Sequence, residues 1–213
     1  MSALSATAAG ALQPAPATAA GSRETRTMLK NNLGAFKSNF RFRTATDDLP
    51  STGERLFFPG ASRIGGRNGI SVHLATKTKA WMGTFQAGES SLLGLTGAFA
   101  TPNPNALLVV STGRGYLVDV LVPERTELLS FFPITHVVPN PAAGLLALGN
   151  LTDLMAIGES GIRWKTDRLA WDGFEICAVD QNVIQGRYED LSSDEITEFV
   201  VDWRSGKVTT ARQ

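Results

Sequence analysis

A single cysteine, Cys177, and two histidines, His73 and His136, are all the chain offers for disulfides, thiolate clusters or imidazole sites. One thiol excludes an internal disulfide and any multi-cysteine zinc or iron–sulfur centre. Two histidines exclude a histidine-rich metal site by number alone. An excess of charge is missing as well. The 20 Lys and Arg are matched by 20 Asp and Glu, so no net field draws the molecule to nucleic acid or an anionic membrane. No run approaches the roughly 18 apolar residues of a membrane-spanning helix. No charged segment leads into a continuous apolar stretch at the start, so no secretory signal is expected. A soluble protein of the cytoplasm, with no cofactor, fits these absences.

Nine of the first 22 residues are alanine, interrupted by Gly10, Pro14, Pro16 and Gly21. With no amphipathic period this stretch buries little, and residues 1–24 are expected to form a disordered tail. Residues 25–213 are left as a single β-repeat domain. Residues 1–46 carry six Lys or Arg and one acid, Glu24, a balance that also suits an organelle transit peptide; a bacterial tail is preferred. Leu29, Leu33, Phe36 and Phe40 fall at i, i+4, i+7 and i+11, which predicts a short helix despite Gly34. The alternation of Asn39 to Arg43 then predicts an edge strand.

Beyond Pro50 the pattern is β throughout. Short apolar runs such as Ile70 to Leu74, Leu107 to Val110, Leu145 to Leu148 and Phe199 to Trp203 recur between Gly-, Pro- and Asn-bearing turns. Pro102-Asn103-Pro104 returns as Pro139-Asn140-Pro141, an offset of 37. Leu108-Val109 and Leu145-Leu146, and Leu117-Val118 and Leu154-Met155, keep the same step. A period near 37 in an all-β chain predicts a propeller-like arrangement of about four blade-like repeats. A β-sandwich of repeated hairpins is the alternative. Cys177 lies in the apolar run Glu175 to Val179, where a buried, inert thiol is expected.

Asp153 to Thr166, Arg168 to Gly173, the closing Phe199 to Val208 and the opening Leu49-Pro50 to Pro59 resemble stretches of uncharacterised bacterial β-propeller-like repeat proteins. The resemblance covers most of residues 35–208. It implies the fold and transfers no active site.

Chemistry-bearing groups are sparse. The G-x-S-x-G context of a nucleophilic serine is absent, and Gly158-Glu159-Ser160-Gly161 reads as a hairpin turn. Gly65 to Gly69 and Ser111 to Gly115 lie between predicted strands and lack the Gly-Lys-Ser/Thr ending of a phosphate loop, so both read as turns. Glu189, Asp190, Asp194 and Glu195 crowd carboxylates that suit a hard cation, without the spacing of a calcium loop. Lys30, Lys37, Arg41 and Arg43 among Phe36, Phe40 and Phe42 resemble a single-strand nucleic-acid binder, although core packing explains the same aromatics. Trp164, Trp171 and Trp203 recur near strand ends, either as blade packing or as an aromatic binding face.

The expectation is therefore a non-catalytic protein- or ligand-interaction module on a β-repeat scaffold, with a protein partner or a second copy as its target. The alternative is a small carboxylate-dependent, hydrolase-like enzyme with a propeller-type cleft. Binding of nucleic acid by the basic N-terminal arm is a third and weaker reading.

Overall fold

Frequent turn residues cut the chain into short strands, and each group of strands closes into one small sheet. The computed structural model describes residues 29–32, 35–44, 53–65, 68–89, 94–191 and 195–212. In chain order the strands are β1 (Leu29–Asn32), β2 (Arg41–Thr44), β3 (Glu54–Phe58), β4 (Gly69–Ala75) and β5 (Ala80–Gln86). Next come β6 (Thr96–Ala100), β7 (Ala106–Ser111), β8 (Arg114–Asp119) and β9 (Glu127–Leu128). Then follow β10 (His136–Asn140), β11 (Leu145–Gly149), β12 (Leu154–Gly158) and β13 (Gly161–Lys165). The last group is β14 (Glu175–Val179), β15 (Val183–Asp190), β16 (Glu195–Asp202) and β17 (Val208–Arg212).

Four sheets result, in the orders β2-β4-β5-β3, β1-β6-β7-β8-β9, β10-β11-β12-β13 and β14-β15-β16-β17; we number them one to four. The architecture is all-β and propeller-like, with four blade-like sheets. The central hairpins of sheets one to four have their midpoints at positions 77.5, 112.5, 151.5 and 192.5, so successive hairpins are 35, 39 and 41 residues apart. The step of 37 read from the Pro-Asn-Pro pairs lies within this spread.

Three apolar cores lie between successive sheets. Val72, Trp81 and Phe85 of sheet one meet Leu107, Val109 and Tyr116 of sheet two. Leu108 and Val110 of sheet two meet Leu146, Leu148, Met155 and Ile157 of sheet three. Leu145, Ala147, Leu154 and Ala156 of sheet three meet Ile184, Phe199 and Val201 of sheet four. Successive residues of one strand point to opposite faces, so β7, β11 and β12 each serve two cores and are buried at every position. That is why they read as unbroken apolar runs. β4 of sheet one and β16 of sheet four instead alternate, because each of these sheets packs on one face only. Among the described residues no core joins sheet four to sheet one, and the array has two open ends.

Indole and phenol groups lock neighbouring sheets. Trp81 Nε1 donates to the Val120 carbonyl at 3.2 Å, and Trp164 Nε1 to the Trp203 carbonyl at 2.7 Å, each reaching 39 residues along the chain. The Tyr116 hydroxyl donates to the Gln86 carbonyl at 2.9 Å. Gly206 has a φ of +69°, and a Cβ there would stand 2.7 Å from Cδ2 of Trp164, so only glycine suits this turn.

The expected helix does not form. Leu29–Asn32 is a strand paired in parallel with β6, and residues 35–40 are bends and coil. Phe36 packs on the core between sheets two and three, while Phe40 enters the core between sheets one and two. Phe36 and Phe40 therefore serve different cores, and sheet pairing supplies partners that a short, Gly- and Asn-bearing helix would lack. Leu33, Gly34 and the expected disordered tail lie outside the described residues.

Aspartates hold the turns of sheet four. Asp180 accepts the backbone N–H groups of Asn182 and Val183 at 2.7 and 2.8 Å. Asp202 accepts the N–H and the hydroxyl of Ser205 at 2.8 and 2.6 Å. These donors favour the charged form and hold both carboxyls below their ordinary value of 3.8. A carboxyl held low in the fold contributes stability that is complete above its ordinary pKa and is lost as pH falls through the lowered one. Asp180→Asn combined with Asp202→Asn should therefore flatten the fall in Tm below about pH 4. Equal slopes in thermal melts of the two proteins would rule this account out.

Candidate interaction surfaces

Among the described residues, the open ends are the two sheet faces without a neighbouring sheet. On sheet one the strand register sets side by side Arg43, His73, Met82 and Arg55, then Ser71, Thr84 and Phe57, then Arg41, Ala75 and Ala80. Their strand-mates Phe42, Val72, Leu74, Trp81, Phe85 and Leu56 fill the core on the other side. Arg41, Arg43 and Arg55 are exposed, and His73, Met82 and Phe57 are half-buried. Among the described residues none of the three arginines has an ion-pair partner. No carboxylate stands in these rows, and the face is basic.

On sheet four the open rows are Ala178, Gln185, Val200 and Thr209, then Glu175, Arg187 and Glu198, then Glu189 and Ile196. Arg187 donates through Nε and Nη2 to Oε2 of Glu175, at 2.9 and 2.7 Å. The Glu175 carboxylate raises the Arg187 pKa, chiefly through this hydrogen bond. Three glutamates against one arginine make the face acidic. Ile196 is 46% exposed and Val200 36% exposed on it. An open sheet face carrying both charge and β-branched side chains is suited to stacking on another sheet.

The tryptophans divide. Trp203 is fully buried and Trp164 nearly so, both in the core between sheets three and four, so they are packing residues and present no aromatic face. Trp171 is 69% exposed, with the Arg168 guanidinium 4.4 Å from its ring centre. Of the acidic group, Glu189 and Asp190 are consecutive on β15 and point to opposite faces, Glu195 pairs with Asp190 across to β16, and Asp194 lies outside the described residues. Among the described residues no cluster of three His, Cys, Asp or Glu is placed to hold a metal.

His136 bonds to the Thr135 hydroxyl through Nδ1 at 2.8 Å and stacks on Phe174, and His73 stands among the arginines of sheet one. Among the described residues the carboxyls displaced from their ordinary values are Asp180, which is exposed, and Glu54 and Asp202, which are half-buried, and all three are lowered. A carboxylate-based general acid needs the opposite shift. Ser160 sits in the turn between β12 and β13, and Gly113 in the turn between β7 and β8, as the sequence predicts.

Cys177 is exposed, against expectation. The register between β14 and β15 shifts between Ile176 and Ala178, which leaves Cys177 outside the ladder. β14 is also the first strand of its sheet, so its apolar residues have strand neighbours on one side only. The segregation of charge to the two ends escaped sequence reasoning. Its signal was present in Arg41-Phe42-Arg43 and in the alternation of Gln185, Arg187 and Glu189, where charges occupy every second position.

No protein-family model matches the sequence, and no curated protein matches it. The chain is similar in fold to the N-terminal domain of Nup159, with 14% identity, a TM-score of 0.38 and coverage of 87% of this chain and 53% of that one. A chain in an S. cerevisiae complex of Dbp5 with Nup159, Gle1, IP6 and ADP gives 14% identity, a TM-score of 0.39 and coverage of 85% and 52%. The chain thus spans about half the length of the structures it matches. At this distance, what those proteins bind says nothing about this one.

Proposed function

We propose that the chain is a non-catalytic protein-interaction module that docks partners on the open faces of its end sheets. The observation that carries this reading is sheet four, which has one face in the core and Ile196 and Val200 exposed on the other beside a row of charges. Apolar side chains on a rigid, charged sheet face are a common basis of protein docking. No helix among the described residues is long and apolar enough to cross a membrane. The exposed free thiol of Cys177 suits a reducing compartment, and we place the protein in the cytoplasm.

The test is capture from a lysate of the source organism by the tagged chain, followed by identification and mass measurement of the complex. Ile196→Asp together with Val200→Asp should abolish capture with Tm unchanged, since both side chains are exposed. Capture that is unaffected by this variant would show that the end face is not the docking surface.

A further inference from the structure

We propose that the partner of the end faces is a second copy of this chain. The two arrays join head to tail, sheet four of each on sheet one of the other, and close into a ring of eight sheets. This inference rests on the interaction reading above and names its partner.

Charge selects the pairing. Sheet one presents Arg41, Arg43 and Arg55 without a carboxylate in the same rows, and sheet four presents Glu175, Glu189 and Glu198 against Arg187 alone. Stacking sheet one on sheet one would set arginines against arginines, and sheet four on sheet four would set glutamates against glutamates. Both are penalised, whereas head-to-tail contact sets opposite signs together. A head-to-tail contact either closes a ring or grows a filament. Two copies bring eight sheets, within the range of closed propellers.

Size favours closure over a single contact. Four strands of this length cover roughly 400 Å² per face. One junction buries about 800 Å² counting both faces, the scale of weak contacts, whereas a closed ring makes two and reaches roughly 1,600 Å², the scale of stable complexes. The new junctions would also repeat the arrangement of the three internal ones, sheet on sheet, with ion pairs at the rim in place of a fully apolar core.

The experiment is light scattering on the full chain and on two charge-reversed variants. Arg43→Glu with Arg55→Glu makes both ends acidic, and Glu189→Arg with Glu198→Arg makes both ends basic. All four positions are exposed, and circular dichroism with thermal melting verifies that each variant folds. The wild type is expected at twice the chain mass, with dissociation favoured by rising salt. Each variant alone is expected at the single-chain mass, with self-association weakened at least about 100-fold. An equimolar mixture of the two should return to twice the chain mass, because both junctions of a mixed ring again join opposite charges.

A wild type that stays at single-chain mass at high protein concentration overturns the inference. So do folded variants that remain dimeric, and a mixture that stays apart. A single-chain wild type that still captures another protein through Ile196 and Val200 would overturn self-association and leave the interaction reading standing. A single-chain wild type whose basic face binds a single-stranded oligonucleotide would assign that face to nucleic acid.

Discussion

Trp203→Ala is expected to cost about 4 kcal/mol of stability and to lower Tm by roughly 10 °C in a protein of this size. The side chain is fully buried in the core between sheets three and four, together with Trp164, Phe199 and Val201. Its indole N–H donates to the Asp180 carbonyl at 3.1 Å, so truncation leaves that acceptor without its partner as well as opening a cavity. Trp164 donates to the Trp203 backbone carbonyl, a bond that alanine keeps. The loss is therefore one of packing and of one hydrogen bond. Trp203→Phe should recover about half of it. Trp171→Ala removes an exposed indole and should stay within about 0.5 kcal/mol of wild type. Chemical denaturation of the three variants measures this, and comparable losses at Trp203 and Trp171 would contradict the assigned packing.

Ala147→Asp should be the more damaging change, leaving the chain largely unfolded or insoluble. Ala147 is fully buried opposite Ala156, and this pair of small residues leaves room for the Trp164 and Trp203 indoles in the same core. A carboxylate placed there is surrounded by the apolar side chains of that core and loses its hydration, a penalty of several kcal/mol. Gln185→Asp makes a similar side chain on the open face of sheet four and should change stability by less than about 0.5 kcal/mol. Far-ultraviolet circular dichroism and soluble yield separate the two outcomes. A folded, soluble Ala147→Asp protein would mean that sheet three is not covered on both faces.

The distinction behind that pair was legible in the sequence. Leu107 to Val110 and Leu145 to Leu148 are unbroken apolar runs because both faces of their sheets are covered, and Ile70 to Leu74 alternates because one face is open. The number of sheets followed from the 37-residue step between the Pro-Asn-Pro stretches. Parallel pairing was not legible. β1 joins β6, and β3 joins β5, through long connections with no short hairpin turn between the paired strands. The apolar period of Leu29, Leu33, Phe36 and Phe40 therefore looked helical, although its aromatics serve two cores. Cys177 was misplaced because a bulge reverses the inside–outside alternation that sequence alone projects. The end faces needed the register of four strands each, which brings Arg43 beside His73 and Arg187 beside Glu198 across separations that no local pattern spans.

The parallel strand β1 also makes the two ends of the array mechanically unlike. β1 lies in sheet two, the chain then leaves to build sheet one, and it returns to sheet two at β6, so Thr96 lies beside Leu29. Sheet one is thus a closed loop anchored at both of its ends, and detaching it from its neighbour frees little chain entropy. The strands of sheet four pair only with one another among the described residues, so no strand returns from it to a neighbouring sheet. It lacks the second anchor that sheet one has. The acidic end is therefore the one that frays first, and whatever settles on it acts as a clasp on the stack.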